Sequence, residues 1–396
     1  MRIGLNAIGL IPGTIGGAET YFRNLLFHLQ NTDHKNSYFL LCDTNNVGQF
    51  PLFNPLFKTI EFNFLKPSLL WFFRVALKRT VGYDILTLFL NRLNLDIIHH
   101  PFSILNPRGL HIPSVLTFLD MQQEYYPEYF SNKELRFRKK NYRSSCEEAT
   151  KIIAISAHVK QSLIDIYNIP AEKIDVVYMG AGSEYRQVDD SEQLQRANSK
   201  YGLTRPFMYY PAATWPHKNH KKLLSALKLL RDMYNFDGEL LLSGLSMQAN
   251  NEIMREIQRL SLSSAVRTLG YIPSDDLPYI YNLARLIVFP SLFEGFGLPL
   301  IEAMACGCPV VCSNATSIPE IVGDSALMFD PFSEKDMADK LWRVWSNKDE
   351  AEALKARGFI RIKKYSWEQT ARKTTSVFEN AFSITQKLNM NNLSDV

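Results

Sequence analysis

The 396-residue sequence predicts an α/β protein made of two parallel-sheet domains, and three observations carry that expectation. From about residue 170 onward, short β-rich runs alternate with longer amphipathic stretches. The expected strands are Asp175–Met179, Phe207–Pro211, Leu240–Ser243, Val266–Leu269, Leu286–Pro290 and Val310–Cys312. The expected helices between them include Lys218–Tyr234, Ser246–Leu260, Asp275–Ala284 and Leu298–Ala305. Strands separated by helices of this length pair in parallel through right-handed crossovers, with helices on both faces. The N-terminal half repeats the alternation more loosely, with strands at Ile3–Ala7, Tyr38–Cys42, Asp96–His99, Val115–Thr117 and Ile152–Ile155 and a helix at Glu19–Gln30. Between the halves lies the polar, weakly patterned segment Ala181–Thr204. We therefore expect Rossmann-like domains at 1–190 and 205–365, joined by a linker at 191–204. A further helix is expected over Trp367–Phe382, followed by a disordered polar tail at 387–396.

Composition bounds the function. With 46% hydrophobic and 21% charged residues, the chain has apolar material for more than one core, which excludes a wholly disordered or collagen-like protein. No run approaches the ~18 apolar residues of a spanning helix. The opening Met1–Ile11 is interrupted by glycines and reads as a first buried strand rather than a secretory signal. A net charge of +4 is too small to argue for nucleic acid, though it suits anionic ligands. Five cysteines, an odd number, read as buried reduced thiols, so a cytoplasmic chain, soluble or peripheral to a membrane, is expected.

One stretch departs from the rest. Within Phe57–Gly82, Lys66, Arg74, Lys78 and Arg79 are interleaved with Trp71, Phe72 and Phe73. Basic residues beside large aromatics are what an interfacial helix presents to anionic headgroups, at the inner face of a membrane. The same pattern also suits an ordinary helix that packs its apolar side inward.

The densest chemical signal is the run Phe289–Pro309. A strand ends near Pro290, a loop holds Glu294-Gly295-Phe296-Gly297, and a helix opens at Leu298 with Pro299. Glycines let backbone amides approach a ligand, and a helix start offers unpaired N–H groups, so this is an anion cradle. Glu294 and Glu302 flank it with seven residues between. Carboxylates beside a phosphate make chemical sense as acceptors for sugar and ribose hydroxyls. The alternative is a helix N-terminus that merely carries acids near its dipole.

Two further clusters follow strands. His217 and Lys218 stand in the loop after Phe207–Pro211, where cations would meet a diphosphate. Gly16 and Gly17 stand between the first strand and the first helix, without the full Gly-x-Gly-x-x-Gly fingerprint. Nests in both domains suggest one ligand site in a cleft between them. His99 and His100 lack a third ligand and make poor metal candidates.

Together these clusters resemble the retaining glycosyltransferases of family 4, whose fold is GT-B: two Rossmann-like domains facing across a cleft. The specific part is Glu294 to Glu302, which resembles the family's paired-glutamate motif. Supporting it are Gly270-Tyr271-Ile272, Pro211–Asn219, Ile152–Ser162, Gly16–Glu19 and Asp120–Phe130. The resemblance implies a nucleotide-sugar donor held in the C-terminal domain. Glu302 would accept from the ribose hydroxyls, and the backbone at Tyr271 and Ile272 would meet the base. Lys218, with His217 beside it, would neutralise the diphosphate. Glu294 and the amides of Gly295, Phe296, Gly297 and Leu298 would hold the transferred sugar. The acceptor would enter past Gly16, Gly17 and the segment near Asp120; the catalytic residues would be Glu294, Asp120 and Lys218, and Gly16 and Gly17 would also contact the donor. It also implies that 366–386 forms a helix crossing back to the N-terminal domain.

Two residues depart from that pattern. Leu119 occupies the place where many members carry histidine before the aspartate, and His217 replaces an arginine before the donor-loop lysine. No Asp-x-Asp clamp lies on a suitable loop, so no cofactor and no catalytic divalent ion are expected. The expected activity is transfer of a hexose, mannose favoured, from GDP-mannose or a UDP- or ADP-sugar. The acceptor would be a saccharide, free or lipid-linked, in cell-surface polysaccharide synthesis. The alternatives are a catalytically silent nucleotide-sugar binder and a nucleotide-sugar epimerase of the same shape.

Overall fold

Short runs of Ile, Leu and Val, buried along most of their length, become the strands of two parallel sheets. The computed structural model describes residues 1–13, 16–63, 74, 80 and 84–394, excluding the side chains at 388, 389 and 391–394. The first sheet has seven strands: β1 (Arg2–Asn6), β2 (Ser37–Asp43), β3 (Phe57–Phe62), β4 (Ile97–His100), β5 (Ser114–Phe118), β6 (Lys151–Ala154) and β7 (Ile174–Val176). Their order is β3-β2-β1-β4-β5-β6-β7, and every pairing is parallel. The second has six: β8 (Phe207–Pro211), β9 (Glu239–Ser243), β10 (Val266–Gly270), β11 (Leu286–Phe289), β12 (Val310–Ser313) and β13 (Ala326–Phe329). Their order is β10-β9-β8-β11-β12-β13, again all parallel. Sheets covered on both faces need near-continuous apolar strands, as in Leu-Ile-Val-Phe of β11, where all residues are buried.

The chain divides into two units, Met1–Met179 with Trp367–Val396, and Gly180–Ser366. Within the first, helix α1 (Gly17–Thr32) buries Tyr21, Phe22, Leu25 and Leu29. The basic helix α2 (Asn132–Glu148) buries only Ser145 and Cys146. In the second, helices α3 (Ser191–Tyr201), α4 (His220–Tyr234) and α5 (Leu298–Ala305) flank the sheet strands, and α4 buries Leu223, Leu224, Leu227 and Leu230. Helix α6 (Trp367–Ser394) belongs to the first unit, where Trp367 packs on Tyr21 at 6.1 Å between ring centroids and Phe378 on His99 at 5.3 Å.

Several boundaries differ from the sequence expectation. The segment expected as a linker holds α3, a helix of the second unit. Asp190 caps its start by accepting from Glu192 N and Gln193 N, and Gly202 ends it in the left-handed region at φ 59°. Lys200 then pairs with Asp276 at 2.6 Å. The strand expected over Asp175–Met179 is shorter, Ile174–Val176, and forms β7 at the edge of the first sheet, inside the expected first domain. The expected tail continues α6 through Ser394, since Trp367–Ser394 contains neither Gly nor Pro to stop it. Strands β3 and β13 were absent from the expected set.

Candidate functional site

In an open parallel sheet, ligands bind beyond the carboxyl ends of the strands, where the strand order reverses. In the second unit that point lies between β8 and β11. The loop after β8 carries His217 and Lys218; the loop after β11 carries Glu294 to Gly297. Parallel pairing of Leu286 with Met208 and Ile287 with Tyr209 sets these loops side by side. Leu292 N donates to His217 O at 2.8 Å, and Asn219 Nδ2 donates to Pro290 O at 3.1 Å. Asn219, left-handed at φ 61°, turns the chain from the short turn Pro216–Lys218 into α4.

This arrangement brings Lys218 Nζ to 2.6 Å from Glu294 Oε1, with side-chain exposures of 18% and 12%. The backbone of both residues is held in place. Tyr210 Oη donates to Lys218 O at 2.7 Å, and the Glu294 backbone is clamped at both polar atoms. Glu294 N donates to Thr316 Oγ1 at 3.0 Å, while Ser317 Oγ donates to Glu294 O at 2.9 Å. Phe296 is buried and meets Tyr365 edge-on at 5.8 Å. Gly297 caps α5 at φ 99°, a conformation side chains rarely adopt, and Leu298 begins the helix, where Pro299 has no N–H and Leu300 N donates to Gly297 O at 3.0 Å.

Glu302 sits within α5, only 9% exposed, and Tyr281 Oη donates to its Oε2 at 2.9 Å. Burial pushes its carboxyl up to about 7, with the Glu184 charge adding to the rise and the Tyr281 and Tyr185 hydroxyls opposing it. Tyr271 follows β10 with 67% of its surface exposed, whereas Ile272 is buried. Burial, then the Lys218 and His220 charges, push the His217 imidazole down to about 2, so without a ligand it is neutral at physiological pH.

Of the expected site residues, Lys218, His217, Tyr271, Ile272, Glu294, Gly295, Phe296, Gly297, Leu298 and Glu302 belong to the second unit. Gly16, Gly17 and Asp120 belong to the first. There, Gly16 precedes α1 at φ 48°, and Asp120 follows β5, its Oδ1 accepting from Gln122 N at 3.3 Å. Lys66, Trp71, Phe72, Lys78 and Arg79 lie outside the described residues. Arg74 is described, and the structure turns it inward: its Nε meets Asp84 Oδ1 at 2.6 Å and its Nη2 meets Oδ2 at 2.9 Å, so it is not a free headgroup contact. Sequence reasoning missed Tyr281, Thr316, Ser317 and Asn219. The pair Thr316-Ser317 just before a Pro-containing helix was the signal available for two of them. Among the described residues no cluster of three or more His, Cys, Asp or Glu side chains is placed to hold a metal, and no helix is long and apolar enough to cross a membrane.

The comparisons with known proteins agree with this geometry. Residues 15–184 match the family described as Glycosyltransferase Family 4, and residues 191–361 match Glycosyl transferases group 1. The chain is 33% identical over 285 residues to O-antigen chain mannosyltransferase B of Escherichia coli, covering 72% of this chain and 74% of that one. It is 32% identical over 249 residues to the serotype-specific mannosyltransferase WbdA of Escherichia coli, of which it spans only 29%. Among solved structures, the sucrose-phosphate synthase of Thermosynechococcus elongatus superposes with a TM-score of 0.76 at 20% identity, covering 97% of this chain and 100% of that one. Anabaena HepE in complex with UDP and glucose superposes with a TM-score of 0.72 at 18% identity, covering 96% of this chain and 100% of that one. The two-domain parallel-sheet architecture is therefore that of GT-B glycosyltransferases. The chain belongs to glycosyltransferase family 4. The epimerase and silent-binder alternatives are not favoured.

Proposed function

We propose that this glycosyltransferase moves mannose from GDP-mannose to a saccharide acceptor, with retention at the anomeric carbon and without a catalytic metal. The donor sugar is suggested by the mannosyltransferases among its relatives. The observation that carries the chemistry is the Lys218–Glu294 pair, which joins the loop after β8 to the loop after β11. Breaking the bond between the anomeric carbon and the diphosphate leaves negative charge on phosphate oxygens and positive charge on the sugar. A fixed ammonium and the backbone amides of Gly295–Leu298 meet the first; the Glu294 carboxylate meets the second and its hydroxyls. Glu302 takes the ribose hydroxyls and the backbone at Tyr271 and Ile272 the base. Gly16, Gly17 and Asp120 lie on the acceptor side. A lipid-linked acceptor at the cytoplasmic face of a membrane, in cell-surface polysaccharide synthesis, completes this reading.

The test is thermal stabilisation by GDP, UDP and ADP, each with and without Mg²⁺, followed by NMR of the product. Stabilisation by GDP alone, unchanged by EDTA, and an α-mannoside product are expected. A preference for UDP or ADP removes mannose transfer from GDP-mannose. A β-linked product removes retention, and loss of turnover with EDTA removes metal independence.

A further inference from the structure

Holding the donor is half of a sugar transfer, and the second unit presents a side chain that the donor half does not use. Trp215 lies in the loop after β8, three positions before Lys218. Its backbone is fixed from both sides. Thr214, just before it, is stapled to the loop after β9: Thr214 N donates to Leu245 O at 3.1 Å, Met247 N to Thr214 Oγ1 at 2.6 Å and Ala249 N to Thr214 O at 2.9 Å. Pro216, just after it, confines Trp215 to extended backbone, observed at φ −77° and ψ 148°. Lys218 N then donates to Trp215 O at 3.0 Å, which sets the indole and the ammonium on one short turn.

The ring itself is left open. Trp215 is 39% exposed, whereas Trp345 and Trp367 keep only 4% and 2%. Among the described residues no other ring stacks on it, no cation lies over it and no acceptor takes its indole N–H. Two geometric conditions say what it meets. The attacking hydroxyl must come within about 3 Å of the anomeric carbon, so the terminal sugar of the acceptor lies against the donor sugar that Glu294 holds. Retention places the new bond on the face that the diphosphate leaves, which is the Lys218 side. We propose that the Trp215 indole is the platform on which the terminal sugar of the acceptor stacks. C–H bonds on one face of a pyranose, polarised by the neighbouring oxygens, meet the negative face of the ring, and the indole N–H donates to a hydroxyl. The inference rests on the reading of a retaining transfer to a saccharide, and not on GDP-mannose as the donor.

The test is saturation-transfer NMR on the full chain with the methyl α-glycosides of mannose, glucose, galactose and N-acetylglucosamine, in the presence of GDP, of UDP and of neither. Wild type should saturate the ring protons on one face of at least one glycoside. Trp215→Phe, which keeps an aromatic face, should preserve that pattern. Trp215→Leu should bind the same glycoside about tenfold more weakly, the loss of one aromatic platform. Affinity for guanosine and uridine should be the same in all three chains. An unchanged melting temperature shows that substitution of this exposed side chain leaves the fold intact. The proposal is overturned if no glycoside is saturated under any of the three conditions, or if the Leu variant binds as wild type does. A Leu variant that loses affinity for guanosine or uridine also overturns it, because the ring would then serve the nucleobase. Donor preference and product anomer are read in separate experiments, so a failed mannose or retention reading is told apart from a failed platform.

Discussion

Lys218 Nζ stands 2.6 Å from Glu294 Oε1, tying the loop after β8 to the loop after β11 across 76 positions of sequence. Both side chains are mostly buried, so the ammonium is held in place by a carboxylate before any ligand arrives. A cation fixed in advance needs little reorganisation when charge develops beside it, which is the condition for electrostatic catalysis.

That arrangement makes Lys218→Met the most informative substitution. Turnover should fall on the order of 10²–10³-fold, the usual loss when one fixed donor to a developing charge is removed. Affinity for GDP should fall at least about tenfold, while affinity for guanosine, which lacks phosphate, should not change. Isothermal titration with both ligands reads the difference. Equal losses for the two would show that Lys218 only supports Glu294 and has no contact with phosphate.

Gly297 gives a prediction about the frame of the site. At φ 99° it holds the cap of α5, and an added Cβ would stand 2.9 Å from Leu300 Cδ1. Gly297→Ala should destabilise the chain by about 1–2 kcal/mol from backbone strain. Gly17→Ala is the contrast. A Cβ there meets nothing within 4 Å, and the residue already lies in α1. That change should stay within about 0.5 kcal/mol or stabilise slightly. Urea midpoints compare the two, and equal midpoints would remove the strain argument.

Much of this was legible in the sequence, and the losses have physical causes. Strands such as β11 and β12 announce themselves because a sheet covered on both faces demands unbroken apolar runs. Helix α3 did not, because it buries only Ala197 and so shows almost no apolar stripe, although its caps Asp190 and Gly202 were in plain view. Glu294, Glu302 and Lys218 were readable as residue types in a loop–helix setting. That Lys218 pairs with Glu294 depends on β8 lying beside β11, which is strand order rather than local pattern. The neutrality of His217 depends on its burial and on a neighbouring ammonium, neither visible along the chain. Arg74 was misassigned for the same reason: its partner Asp84 lies ten positions on, and only the fold brings the two together.

Glu302 ties the site to pH. Burial raises its carboxyl to about 7 against a usual value of 4.5, so the folded chain holds this proton more tightly than the unfolded one does. The sign follows directly: the stability this group contributes is full below about pH 4.5 and is lost as pH rises through about 7. Glu302→Gln keeps the size and the acceptor for Tyr281 but never ionises. It should therefore match wild type near pH 4 and exceed it at pH 8, by at most about 3 kcal/mol. Donor binding should move the other way, because an ionised carboxylate accepts from two ribose hydroxyls and the amide offers one oxygen. Wild-type affinity for GDP should rise between pH 6 and pH 8 more steeply than that of the Gln variant, which should be weaker and keep only the dependence that GDP's own terminal phosphate brings. Tyr281→Phe removes a donor to the ionised form and should shift the limb to higher pH. Melting curves and titrations at matched pH values decide it, and a Gln variant that binds GDP with the wild-type pH dependence would show that Glu302 does not touch the ribose.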